Sequence, residues 1–126
     1  MRWAWVVDDS PERYEVLGLF LQSRWGVEAV RFSPEVPEDF GEAWVVSLDY
    51  HLAGSTALEA LKRLPPERLA GRLYVVHSTA GLEATLLEDW LRKQGLEVIR
   101  YPYTLIRMEV RPKRRLGRSG PVQPPG

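Results

Sequence analysis

Trp3-Ala4-Trp5-Val6-Val7-Asp8-Asp9-Ser10-Pro11 is the stretch that decides the architecture. Residues 3–7 are apolar at both parities, the pattern of a central strand buried on both faces. The run stops at two acids, and Ser10-Pro11 then supplies an N-cap followed by proline at the first helical position. The same order recurs down the chain. Tyr14, Leu17, Gly18 and Leu21 fall at helical spacing, Val16 and Phe20 widen that stripe, and Gly26 stops it. Further strands are predicted over 27–32, 43–48, 73–76 and 98–99. Ser33-Pro34-Glu35-Val36-Pro37 leaves room for hardly more than one helical turn before the third strand. Leu58, Leu61 and Leu64 mark a helix from about Ser55 that Pro65-Pro66 ends. Leu82, Leu86 and Trp90, with Leu87 and Leu91 beside them, give the clearest amphipathic helix, closing at Gln94-Gly95. After Thr104, residues 105–110 read as extended, because Pro112 soon interrupts them.

The chain has 126 residues, 44% hydrophobic and 27% charged, which suits one folded domain. There is no Cys, so disulfide scaffolds, thiol catalysis and Cys-based zinc sites are excluded. No apolar run approaches the ~20 residues that a membrane helix needs, and acid stands where a signal peptide needs its apolar stretch. The expectation is a cytoplasmic protein with no membrane partner. Asn is absent and only Lys62, Lys93 and Lys113 are lysine, which fits a thermophile. A melting temperature within about 45–65 °C would remove that reading.

Charge is unevenly spread. Residues 1–103 carry 11 basic and 16 acidic side chains, whereas 104–126 carry Arg107, Arg111, Lys113, Arg114, Arg115 and Arg118 against Glu109 alone. The expected organisation is an acidic body over 1–103 and a basic, Pro/Gly-rich C-terminal extension over 104–126. Such a tail is most often a solvated end. It has charge enough for phosphate contacts, but nothing in it reads base edges, so nucleic acid is a secondary expectation.

Alternating strands and helices in short units imply a parallel sheet with right-handed crossovers. Ligands of such sheets sit beyond the carboxyl ends of the strands. The first predicted strand ends in Asp8-Asp9, the third in Asp49, the fourth in His77-Ser78 and the fifth in Tyr101-Pro102. Each acid alone has an ordinary reading, as a helix N-terminal acid or a turn acid. Together they argue for a site. Converging carboxylates repel unless one is protonated or a cation neutralises them. Hard oxygen donors without thiolate favour Mg²⁺, which accepts phosphate oxygens as further ligands. An Asp beside such an ion can act as a nucleophile toward phosphorus and form an acyl phosphate.

The sequence resembles a response-regulator receiver domain over roughly residues 3–103. Val6-Val7-Asp8-Asp9-Ser10-Pro11 matches the family's acidic pair. Residues 48–61, LDYHLAGSTALEAL, match its D-x-x-L-P-G-x-x-G-x-x-x-L pattern, with Ala53 for the proline and Ala57 for the later glycine. The resemblance implies an α/β, flavodoxin-like, doubly wound fold on a five-stranded parallel sheet, from which this sequence is expected to depart by a shortened second helix and a missing last helix. It implies Asp49 as phosphoacceptor and Ser78 on a phosphoryl oxygen. Mg²⁺ would lie on Asp8, Asp9, Asp49 and the carbonyl of His51. It further implies a histidine kinase or phosphotransfer protein as phosphoryl source and a downstream protein as output partner. Tyr101 stands where the family keeps lysine, so one cation for the phosphoryl group is lacking.

Two other readings compete. SLDYHL and VVHS are similar to SLDHDL and VHS of a receiver branch proposed to process cyclic phosphates, which would make His51 or His77 an acid–base group of a metal-dependent phosphoesterase. Ala80 replaces that branch's Asn. A receiver that is never phosphorylated and serves only as an interaction module is the third reading.

Overall fold

The computed structural model describes residues 2–79 and 81–110. Five strands form one parallel sheet: β1 (Trp3–Val7), β2 (Ala29–Ser33), β3 (Val45–Leu48), β6 (Leu73–Val76) and β7 (Glu97–Arg100). Between β3 and β6 lies a short antiparallel hairpin, β4 (His51–Leu52) and β5 (Ser55–Thr56). The sheet order is β2-β1-β3-β6-β7, so β1, β3 and β6 are interior. The helices are α1 (Tyr14–Trp25), α2 (Ala57–Lys62), α3 (Gly81–Lys93) and α4, residues 103–110.

Strand alternation sorts the core into two layers. Val7, Val46, Leu48, Tyr74 and Val76 share one face with Ala57 and Leu61 of α2 and Ala84, Leu87 and Leu91 of α3. Ala4, Val6, Val45 and Val75 share the other with Leu17, Phe20 and Leu21 of α1 and Ile106 and Val110 of α4. Two helices on each face make the expected doubly wound α/β fold.

The predicted strand limits hold for β1 and β6, residue for residue. Gly26, at φ +67°, closes α1 in the left-handed region as expected of a C-cap glycine. The α2 cap is Thr56, whose Oγ1 accepts from Glu59 N at 3.1 Å. In the hairpin before it, Gly54 takes φ +80°, a conformation that a side chain would strain.

Three expectations are corrected. Residues 103–110 are helical, not extended, so the last helix is present. Ile106 and Val110 lie four apart and are both buried, and Leu105 N and Ile106 N donate to Pro102 O to start the helix. Burial of that stripe outweighs the stop signal at Pro112, and the packed body continues through Val110. The basic stretch from 111 onward lies outside the described residues. The face of α3 also differs: Leu82 is 76% and Leu86 47% exposed, while Ala84, Leu87 and Leu91 are fully buried.

The third correction is in the second crossover, where the sequence predicts a shortened helix and the structure holds none. Pro34 and Pro37 break the segment, and Phe40 packs into the core layer of Val7, Val46 and Leu48, with no exposure and an edge-on contact to Trp5. Arg72 Nη1 donates to the carbonyls of Gly41 and Ala43 at 2.9 and 2.7 Å, and Arg68 Nη1 to that of Glu38 at 2.8 Å. Residues 34–44 are therefore a pinned strap. Phe40→Ala should lower unfolding free energy by about 3–5 kcal/mol in urea titrations, the usual cost of deleting a buried phenyl ring.

Candidate functional site

The register of the sheet builds the site. Val7 pairs with Leu48, and Leu48 with Val76, across the three interior strands. The next residues, Asp8, Asp49 and His77, continue that row. Asp49 N donates to Val7 O and His77 N to Leu48 O, each at 3.0 Å. One donor atom from each of these side chains lies within 4.8 Å of the other two, making a metal-capable group of two carboxylates and an imidazole.

Asp8 and His77 have no exposed side-chain surface, and His77 Nε2 lies 2.8 Å from Asp8 Oδ2. On the other side of the ring, Nδ1 lies 2.7 Å from Ser47 Oγ, also buried. With Nε2–H donating to Asp8, Nδ1 and the Ser47 hydroxyl complete the relay in either charge state of the imidazole. Asp8 Oδ1 accepts from Ser10 N at 2.8 Å, and Tyr14 Oη donates to the Asp8 carbonyl at 2.7 Å. Burial by itself would raise the Asp8 carboxyl. The His77 hydrogen bond and charge, the Ser10 N–H and Arg13 outweigh burial and hold it below the ordinary value.

Asp49 is the reachable member of the row, its side chain 15% exposed. Its Oδ1 accepts from Tyr50 N at 2.9 Å. Burial, with the Asp8 charge adding to it, pushes the Asp49 carboxyl up; His77, the Tyr50 N–H and Arg13 offset only part of that. The Ser10 turn carries the cation. Asp8 anchors Ser10, the 3₁₀ turn Pro11–Arg13 follows, and Arg13 N returns to Ser10 O at 2.9 Å. Arg13 Nη1 then stands 3.6 Å from Asp8 Oδ2 and 3.9 Å from Asp49 Oδ2, and its guanidinium lies 4.7 Å from the Tyr103 ring centre.

The structure brings together Asp8 and Asp49 of the expected residues, but not all the rest. Asp9 is exposed and outside the three-residue group. The His51 side chain points to Glu83 at the start of α3, with Nε2 to Oε1 at 2.8 Å. Ser78 is buried next to His77. Tyr101 turns from the row into the α1/α4 layer, its ring 4.7 Å from Phe20 and its hydroxyl donating to Glu109. Arg100 faces the other layer and pairs with Glu88 on α3. Sequence reasoning passed over Ser47 and Arg13. Ser47 had one signal, a hydroxyl inside the otherwise apolar Val45–Leu48 strand. For Arg13 the sequence held none, because its position depends on the turn.

Five parallel strands in this order with helices on both faces are the fold of a response-regulator receiver domain. The chain is similar to the response regulator domain of Thermotoga maritima CheB, at 20% identity over 98% of this chain and 99% of that one, with a TM-score of 0.54. No protein-family model matches the sequence, and no curated protein matches it. Among the described residues, no helix is long and apolar enough to cross a membrane.

The two carboxyls act oppositely on stability. Asp8, lowered on folding, contributes stability above its unfolded value, and this is lost as pH falls through its folded value. Asp49, raised on folding, stabilises only below its unfolded value, and this is lost as pH rises through its raised folded value. At neutral pH an ionised Asp49 is therefore a net cost. Asp49→Asn should raise the melting temperature at pH 7, without divalent cations, by about 4 °C, the shift that ~1 kcal/mol produces in a small domain. The gain should vanish once pH falls below the ordinary carboxyl range; a lower melting temperature at pH 7 would contradict the assignment.

Proposed function

We propose that the chain is an atypical receiver in phosphorelay signalling, with Asp49 as the phosphoacceptor. The observation that carries this reading is the partly exposed Asp49 carboxylate at an interior strand end, beside a buried carboxylate and a cation. In the reaction, an Asp49 oxygen attacks the phosphorus of a phosphohistidine or a small acyl phosphate. The new O–P bond forms as the donor's bond to phosphorus breaks, and the leaving group departs with the electron pair. Asp49 becomes an aspartyl phosphate.

The donor chemistry fits a hard divalent cation, with Mg²⁺ the expected one. Asp8 and Asp49 would hold it, and Asp9 and the His51 carbonyl remain candidates from the resemblance alone. When bound, the ion supplies positive charge against the carboxylate pair and the phosphoryl oxygens. The chain's own groups do the rest. His77 and Ser10 orient Asp8, Tyr50 N–H orients Asp49, and Ser78 is the candidate hydroxyl for a phosphoryl oxygen. Phosphoryl supply falls to a histidine kinase or phosphotransfer protein, and output to a protein partner.

The geometry favours this over the cyclic-phosphate esterase. His77 has no exposure and both its ring nitrogens are engaged, so it is poorly placed to exchange a proton with substrate. His51 is exposed, but its Nε2 is held by Glu83.

Incubation with Mg²⁺ and acetyl phosphate should add one phosphoryl group by intact mass, and Asp49→Ala should abolish the gain. Uptake unchanged in that variant would refute Asp49 as acceptor. Turnover of a 2′,3′-cyclic nucleotide that disappears in His77→Ala would instead establish the esterase.

A further inference from the structure

We propose that Arg13 is the oxyanion-binding cation of this site, a role that rests on the phosphoacceptor reading of Asp49. Moving a phosphoryl group onto a carboxylate brings several negative oxygens against a fixed negative charge, so positive charge must stand on the approach side. Among the described residues, Arg13 is the cation at ion-pair distance from Asp49. The neighbouring arginines stand away from Asp49. Arg100 pairs with Glu88 on the α3 face, and Arg24 lies over the Trp25 and Tyr101 rings. Tyr101 itself is turned toward Phe20 and Glu109.

The placement of Arg13 suits a ligand more than a structural brace. Its contacts to Asp8 and Asp49, at 3.6 and 3.9 Å, lie beyond hydrogen-bond distance, so the guanidinium neutralises the pair without being locked to it. Its side chain is 32% exposed, against 0% and 15% for the two carboxylates, so it lines the solvent side of the row. The Tyr103 ring, 4.7 Å away, keeps the head near the site by a cation–π contact that leaves its N–H donors free. A guanidinium keeps its charge at any working pH and presents paired donors that match phosphate oxygens.

Arg13 and a divalent cation draw on the same carboxylates. With the cation absent, Arg13 is their counter-charge. With the cation on Asp8 and Asp49, the attraction holding Arg13 there weakens, and its donors turn to an oxyanion at Asp49. The consequence is an opposed pair of effects on removing the side chain: tighter cation binding and weaker oxyanion binding.

The test uses the full chain, with Mg²⁺ alone and then Mg²⁺ plus beryllofluoride, a phosphoryl mimic, followed by calorimetry or tryptophan fluorescence. Arg13→Ala should bind Mg²⁺ about 3- to 10-fold more tightly, since a nearby like charge is gone. It should bind beryllofluoride about 10- to 100-fold more weakly, the loss of a charge-assisted contact. Arg13→Lys should recover part of the beryllofluoride affinity. Should the alanine variant not fold, Arg13→Gln keeps the stem, removes the charge and reads the same two affinities. Beryllofluoride affinity within twofold of the wild type in the charge-free variants overturns the role of Arg13 and leaves Asp49 as acceptor. A wild-type chain that binds no beryllofluoride with Mg²⁺ present removes the phosphoacceptor reading, and this proposal with it.

Discussion

Asp8 Oδ2 and His77 Nε2 meet at 2.8 Å with neither side chain exposed, and the carboxyl edge of the sheet is arranged around that contact. A carboxylate withdrawn from water needs partners or it takes up a proton. Asp8 has them on every side: the imidazole on one oxygen, the Ser10 N–H on the other, and a guanidinium nearby. Each partner in turn fixes something else. The Ser47 hydroxyl behind the imidazole ties β6 to β3, and the Ser10 turn starts the first helix and brings Arg13 back over the strand ends. The ionised state of Asp8 and the start of α1 are therefore one arrangement.

Asp49 is treated in the opposite way. It shares the row but has fewer partners, accepting one backbone N–H and standing 3.9 Å from a guanidinium that Asp8 also claims. Two carboxylates in one small volume have been driven apart in proton affinity, the buried one down and the reachable one up. Such a division suits a site in which one acid is a fixed part of the frame and the other meets the incoming group.

Much of this was legible in the sequence, for physical reasons. Strands buried on both faces are apolar at both parities, so β1 and β6 could be read directly, and the acids that end apolar runs marked the edge. Where the reading went astray, the deciding information was tertiary. Leu82 and Leu86 lie at the spacing of a buried stripe, yet the sheet takes Leu87 and Leu91 instead, because periodicity fixes a stripe and not the side that meets the sheet. Pro112 signalled a break, but the burial of Ile106 and Val110 forms a helix before it. Asp8 and Asp49 could be paired from the fold class alone. That Asp9 stands apart, that His77 joins them and that Arg13 covers them depend on register and on one turn.

The strap that replaces the second helix leaves a mark at the sheet's margin. β2 is an edge strand, and without a helix above it Arg31 lies over the Trp3 and Trp5 rings, 5.4 and 5.9 Å away. An arginine on an open margin discourages another chain from adding a strand there. Opening of the fold should begin at this border and at β7, where strands have a single neighbour. The three strands that carry Asp8, Asp49 and His77 each keep neighbours on both sides. The molecule can fray at its rims while its acidic centre stays assembled.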